Sequence, residues 1–203
     1  MPLVIGIAGK KRSGKDTVAA KLIETAHMFG IKATRRAMAD LLKEECAQMV
    51  SVESGRDFKE VLSEMHGDGP SKEQYRLLLQ FWGTELRRNM CGQDYWVRRM
   101  KLWIEQNCQE PEQQIVVIPD IRFPNETQLV TQLSGHNFIV YRPGTDTSDA
   151  HVSETALDEY NEWMGVFMND QGLTELEKVV RVTLVDLIDR TWGPLGAKGN
   201  TPC

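Results

Sequence analysis

Cysteine is scarce in this chain. Cys46, Cys91, Cys108 and Cys203 are scattered over 203 residues, with no paired spacing of the kind that holds zinc. Reduced thiols are expected, with Cys91 and Cys108 in core or half-buried positions. No apolar run approaches the roughly 20 residues needed to span a bilayer. The opening Leu3-Val-Ile-Gly-Ile-Ala8 is too short for a signal peptide and lacks a basic leader. A cytoplasmic protein with no membrane partner is expected. Positive charge is not in excess either: the net charge of -5 argues against nucleic acid as a primary partner. Internal repeats and a domain linker are also missing, so residues 1–192 are expected as a single domain. Residues 193–203, rich in Gly and Pro, are expected as a disordered tail.

What is present is ordinary globular composition, 41% hydrophobic and 26% charged, in a chain long enough to bury a core. Against the acidic background, Lys10–Lys11–Arg12, Arg87–Arg88 and Arg98–Arg99 form basic clusters suited to a small polyanionic ligand. Leu3–Ala8 reads as a strand buried on both faces. Asp16 to Phe29 reads as a helix closed by Gly30, Ile31 to Met38 as a short strand, and Leu41 to Val50 as helical. Ser51 to Gly69 is the least periodic stretch, predicting helix fragments and a mobile segment. A strong helix capped by Ser71 follows, and another runs from Gln93 or Asp94 to about Asn107. Strands at Ile115–Ile118 and Phe138–Tyr141 bracket a helix from Pro124 to Leu133. Leu173 to Thr191 is the last long helix. Strands alternating with helices predict an α/β fold with a parallel sheet.

Gly9-Lys-Lys-Arg-Ser-Gly-Lys15 lies between the first strand and the first helix. Glycines let such a loop fold around phosphate with its N–H groups inward, and the helix N-terminus adds a favourable field. Lys15 can then reach the β and γ phosphates as a point charge. Gly9, Lys11, Arg12, Ser13, Gly14, Lys15 and Thr17 are therefore candidates for holding ATP. The motif normally ends in Ser or Thr, whose hydroxyl meets Mg²⁺; here Asp16 stands at that place and Thr17 follows. Either the Thr17 hydroxyl or the Asp16 carboxylate is the candidate metal ligand. The plainer alternative is a glycine turn with Asp16 favouring the helix start.

Within Ser71 to Met90, Tyr75, Leu78, Leu79, Trp82 and Leu86 recur at helical spacing as a buried face. Arg76, Gln80, Gly83, Thr84 and Arg87 form a neighbouring stripe. Arg76 suits a phosphate, Gln80 a base edge, and Gly83 a close approach. A solvated face with a packing glycine is the competing reading. Trp96 serves either as core or as a platform for a ligand ring. Further on, the apolar strand Ile115-Val-Val-Ile-Pro-Asp120 ends in a carboxylate, the pattern of a metal-side acid in P-loop enzymes. Arg122 and Glu126 follow it, where ligands of open parallel sheets bind. A plain loop and helix cap is the alternative for this segment.

Together these residues resemble the deoxynucleoside monophosphate kinases of tailed bacteriophages. The likeness runs in order through Lys11-Arg-Ser-Gly-Lys-Asp-Thr17, Gln80-Phe-Trp-Gly-Thr84, Tyr95-Trp-Val97, Pro119-Asp-Ile-Arg122 with Glu126, and Arg142-Pro-Gly144. It ends in His151-Val-Ser-Glu154 and Asn169-Asp170. The resemblance implies a P-loop NTPase fold of the nucleoside monophosphate kinase kind, with a helical acceptor region and a lid. It implies ATP with Mg²⁺ as donor and deoxynucleoside 5′-monophosphates as acceptors, with a homodimer left open. It assigns Ser13, Lys15, Asp16 and Thr17 to the donor phosphates and metal. Arg76, Gln80, Gly83, Thr84, Trp96, Asp120, Arg122 and Glu126 go to the acceptor and the transferring group. Asp120 would orient Mg²⁺ or its waters, and Arg142 would lie near the donor base or lid. His151-Val-Ser-Glu154 is expected to make capping or lid contacts. Two rivals stand beside this reading. One is a P-loop kinase for another phosphorylated metabolite, such as phosphomevalonate or dephospho-coenzyme A; the other is a nucleotide-binding regulatory module without turnover.

Overall fold

A computed structural model describes residues 1–67, 69–108, 113–145 and 152–195, without the side chains of Lys72 and Ser153. The expected tail at 193–203 lies mostly outside these residues, as does His151. The chain forms two compact units: Met1–Arg36 with Cys108–Cys203, and Ala37–Asn107.

The first unit is built on five strands: β1 (Leu3–Ala8), β2 (Lys32–Arg35), β3 (Gln114–Ile121), β4 (His136–Tyr141) and β5 (Gly165–Met168). All pair in parallel in the order β2-β3-β1-β4-β5. Every residue of β1 is buried, as a central strand covered on both faces requires. Leu3, Ile5 and Ile7 face a core formed with helix α1 (Lys15–Met28) and helix α9 (Leu173–Trp192). The single turn α8 (Val152–Thr155) follows β4, and on the face opposite that core sits α7 (Pro124–Gln132). It comes close enough that a Cβ at Gly6 would stand 2.9 Å from the Val130 side chain. Because β3 and β4 leave from opposite sides of β1, the carboxyl end of β1 is a topological switch point, where open α/β sheets bind ligands. The central strand, glycine loop and helix of this sheet make it a P-loop NTPase fold. Strand β5 was not foreseen, because four residues with only Phe167 buried give too short a pattern to read.

The second unit is helical: α2 (Met38–Ser54), α3 (Phe58–His66), α4 (Pro70–Glu73), α5 (Arg76–Gln80), a π-helix (Phe81–Asn89) and α6 (Tyr95–Asn107). Asp57 caps α3 by accepting from the Glu60 N–H at 3.0 Å, which makes a helix of the stretch with least periodicity. Cys46, Ala47, Val61, Met65 and Tyr75 form its core, with Leu78, Leu79 and Trp82 packed against them. The expected buried face is therefore present, but the expected continuous helix is not. It starts at Pro70, a residue whose missing N–H is harmless in a first turn, breaks at Gln74–Tyr75, and widens into the π-helix. Cys91 is exposed, not buried, while Cys108 is half-buried. Among the described residues no helix is long and apolar enough to cross a membrane.

Candidate active site

The loop after β1 departs from ordinary backbone three times: Gly9 at φ 152°, Arg12 at φ 65° and Gly14 at φ 99°. Two of these positions tolerate no side chain. A Cβ at Gly9 would stand 2.6 Å from Ser13 Oγ and 2.8 Å from the Val140 carbonyl, and one at Gly14 2.4 Å from Asn169 Nδ2. The tight ring so formed ends in α1, whose first helical bond runs from the Val18 N–H to the Gly14 carbonyl at 3.0 Å. The amides of Gly14, Lys15, Asp16 and Thr17 precede that bond, and among the described residues no side chain caps this end. Ser13 is 1% exposed, and among the described residues its Oγ makes no hydrogen bond. Unused amides around a buried, unpartnered hydroxyl are what an anion with several oxygens satisfies.

Around this loop stand the carboxyl ends of the other strands. In β3, Pro119 and Asp120 fall where the register with β1 shifts between Gly6 and Ala8. A proline in a central strand is tolerated at such an irregularity because it has no ladder N–H to lose. Asp120 is half-buried there. The Arg122 guanidinium is paired with the Glu154 carboxylate, the planar geometry it would also offer a phosphate. Glu126 is 1% exposed, and its Oε2 accepts the N–H groups of Arg122 at 2.8 Å and Phe123 at 3.2 Å. These two bonds are those of a helix cap. Beyond β4, Arg142-Pro-Gly144 forms a turn closed by the Thr145 N–H on the Arg142 carbonyl at 3.3 Å, with Gly144 at φ 74°. Proline followed by a positive-φ glycine is the type II pattern, and it leaves Arg142 exposed.

Lys10 reaches away from the loop: its Nζ pairs with Asp158 Oδ1 at 2.5 Å and donates to the Glu154 carbonyl. Lys11, Arg12, Asp16 and Thr17 are exposed, and Lys15 is half-exposed. Asp16 faces Arg35 at 3.6 Å, with 72% of its side chain exposed; such a pair contributes little. No cluster of three or more His, Cys, Asp or Glu is present among the described residues. Mg²⁺ on a nucleotide does not require one, since it keeps waters and phosphate oxygens and takes one or two protein ligands. Asp16 and Thr17 are exposed at the start of α1 and Asp120 is half-buried near the end of β3, and their oxygens are of the hard kind such an ion takes.

In the helical unit the predicted stripe is only partly assembled. Arg76 is exposed and paired with Glu73 at 3.2 Å, Gln80 is exposed, and Thr84 is half-buried. Bonding from i to i+5 widens the turn, so from Phe81 onward residues three apart no longer share a face. Gly83 is buried, and a Cβ there would stand 3.1 Å from Leu42 Cδ2; the close approach it permits is packing. Trp96 corrects the platform reading. It is 3% exposed and donates its Nε1–H to the Gly83 carbonyl at 3.0 Å, so it is a core residue. Arg87 leaves the stripe as well, pairing with Glu45 beneath the rings of Trp82 and Tyr95. Glu45 also accepts from Trp82 Nε1 at 3.2 Å and from the Tyr95 hydroxyl at 2.9 Å. Sequence reasoning missed this hub, and it missed the task of Asn169. Asn169 Nδ2 donates to the Ser13 carbonyl at 2.9 Å across 156 positions, a distance over which no local pattern carries a signal.

A family model described as deoxynucleotide monophosphate kinase matches residues 19–180. A protein of Acanthamoeba polyphaga mimivirus, which carries deoxynucleotide monophosphate kinase as a provisional name, is 27% identical over 184 residues, covering 85% of this chain and 91% of its own. Phosphomevalonate kinase of Drosophila melanogaster is 23% identical over 164 residues, 78% of each chain. Among solved structures, dephospho-CoA kinase of Campylobacter jejuni is similar with a TM-score of 0.45 and 14% identity, over 92% of this chain and 97% of that one.

Proposed function

The chain belongs to the deoxynucleotide monophosphate kinase family, and from that membership we propose that it transfers the γ-phosphoryl group of ATP to deoxynucleoside 5′-monophosphates, giving diphosphates. The observation that carries the reading is the loop after β1. Among the described residues it has free helix-start amides, glycines where a Cβ would collide, and a buried Ser13 hydroxyl without a partner. In this reading the amides of residues 14–17 and the Lys15 ammonium hold the donor phosphates. Arg122 orients the acceptor phosphate after exchanging its Glu154 partner for it, and Arg76 and Gln80 are assigned to the acceptor by the motif likeness alone. Arg142 lies on the donor side.

Phosphoryl transfer depends on alignment and charge neutralisation more than on covalent help from the protein. A monophosphate with a second pKa near ~6 is largely dianionic at neutral pH, so its oxygen attacks without a strong general base. Mg²⁺, when bound, neutralises charge on the transferring group. Asp16, Thr17 and Asp120 are the residues proposed to hold it or its waters. The motif likeness to bacteriophage enzymes and the cytoplasmic setting belong to the same proposal.

A second reading, phosphorylation of phosphomevalonate, draws on the similarity to the insect enzyme. One experiment separates them: ADP release measured with a panel of deoxynucleotides, ribonucleotides, phosphomevalonate and dephospho-coenzyme A. Turnover with deoxynucleoside monophosphates at least ~10-fold above every other acceptor in kcat/KM is expected. Preference for phosphomevalonate would transfer the assignment. ATP binding without turnover on any acceptor would leave a nucleotide-binding module.

A further inference from the structure

Asn169 follows β5, and two bonds fix it: its backbone N–H donates to the Tyr141 carbonyl at 2.8 Å, and its side-chain Nδ2 to the Ser13 carbonyl at 2.9 Å. The second bond reaches the loop at a telling place. The Ser13 carbonyl and the Gly14 amide belong to one peptide unit, which is planar and trans, so the N–H points opposite to the C=O. A donor anchored on that carbonyl therefore sets the direction of the Gly14 N–H, the first of the four amides ahead of the helical bond. Gly14 itself is shaped to allow this, since any Cβ would stand 2.4 Å from the donating nitrogen.

We infer that Asn169 is a positioning residue for the phosphate cradle: it holds the Ser13–Gly14 peptide so that the Gly14 N–H stays aimed at bound phosphate. The inference rests on the phosphate-loop reading above. Without the Nδ2 donor, the peptide at the positive-φ glycine is free to rotate, and the amide no longer points one way before the ligand arrives. The ordering then takes place on binding, at the expense of affinity. The side-chain bond of Asn169 is to the loop carbonyl, so its effect should follow the phosphates and ignore the nucleoside.

The test compares binding of ATP, tripolyphosphate and adenosine to wild type, Asn169→Ala, Asn169→Asp and Lys15→Ala, by calorimetry or by competition. Asn169→Ala should weaken ATP and tripolyphosphate by about 10-fold each, the scale of one hydrogen bond to a preorganised site, and leave adenosine unchanged. Asn169→Asp keeps the shape but turns a carboxylate oxygen toward the Ser13 carbonyl, so its loss should be larger; it also covers the case in which the alanine variant does not fold. Tripolyphosphate affinity within about twofold of wild type in both variants, with Lys15→Ala impaired, overturns the inference and keeps the phosphate loop. An equal loss of adenosine and tripolyphosphate also overturns it, making Asn169 a general structural residue. A wild-type protein that binds neither ATP nor tripolyphosphate overturns the loop reading and this inference together.

Discussion

The loop of the sheet unit and the stripe of the helical unit were both proposed from residue spacing, yet the structure treats them differently. In the loop, the proposed function rests on backbone: amides ahead of the first bond of α1, and glycines at φ 152° and φ 99° where a side chain would collide. In the helical unit the proposed contacts rest on side chains, and their alignment depends on the turn being α-helical. The π-helix at Phe81–Asn89 removes that condition. A motif that encodes backbone shape survives from sequence to structure more faithfully than one that encodes a face.

The largest expected effect sharpens this contrast on the loop side. Lys15→Ala should lower kcat/KM by at least ~100-fold, about 3 kcal/mol of transition-state stabilisation, with an unchanged melting temperature. Activity within about threefold of wild type in a folded variant would remove the loop from the mechanism.

On the helical side, the matching substitution should act on stability. Glu45→Ala strips the partner from half-buried Arg87 and leaves the Trp82 and Tyr95 donors unpaired. A loss of about 3 kcal/mol is expected, read from denaturant midpoints. If stability were kept and acceptor KM rose instead, the hub would be part of the site.

Gly83 tests which of its two readings holds. Alanine is favoured over glycine within a helix by about 1 kcal/mol, while the added Cβ would press on the flexible end of Leu42 at 3.1 Å. The two terms nearly cancel, so Gly83→Ala should change stability by less than about 1 kcal/mol in either direction. A packing glycine predicts acceptor KM within about twofold of wild type. A clear rise in acceptor KM at constant stability would return Gly83 to the acceptor face.

What could be read beforehand follows the same division. The buried run Leu3–Ala8, the glycine loop and the carboxylate ending β3 announce themselves through hydrophobicity and residue type. The cap formed by Glu126 was open as an alternative, because Pro124-Asn-Glu126 is a helix start. By contrast, i to i+5 bonding leaves no residue signature, and a lone tryptophan at a helix start, more often core than platform, takes its place only once Trp96 is seen on the Gly83 carbonyl. The pairings of Glu154 with Arg122 and of Asn169 with Ser13 join distant segments through the folded sheet. Their residues were visible as motifs, but their partners were not.

The smallest effect separates the two units by pH. His136, half-buried at the start of β4 beside Ile5, has its pKa lowered from 6.5 by burial and then by the charge of Arg190. In the helical unit, Glu64 is held below the usual 4.5 by hydrogen bonds from Arg56 and then Tyr75. Both folded pKa values are depressed, so both groups contribute stability that is complete above the unfolded value and lost as pH falls toward the folded one. The windows differ: the His136 contribution fades from about pH 6.5 downward, that of Glu64 only below about 4.5. Melting between pH 7.5 and 5.5 should therefore fall more for wild type than for His136→Asn, by less than about 1 kcal/mol because the imidazole is partly solvated. Glu64→Gln should show the wild-type slope over that interval and diverge only in stronger acid. Equal slopes for wild type and His136→Asn would mean that the imidazole titrates alike in the folded and unfolded chains, and the acid response of the sheet unit would have to come from its carboxylates.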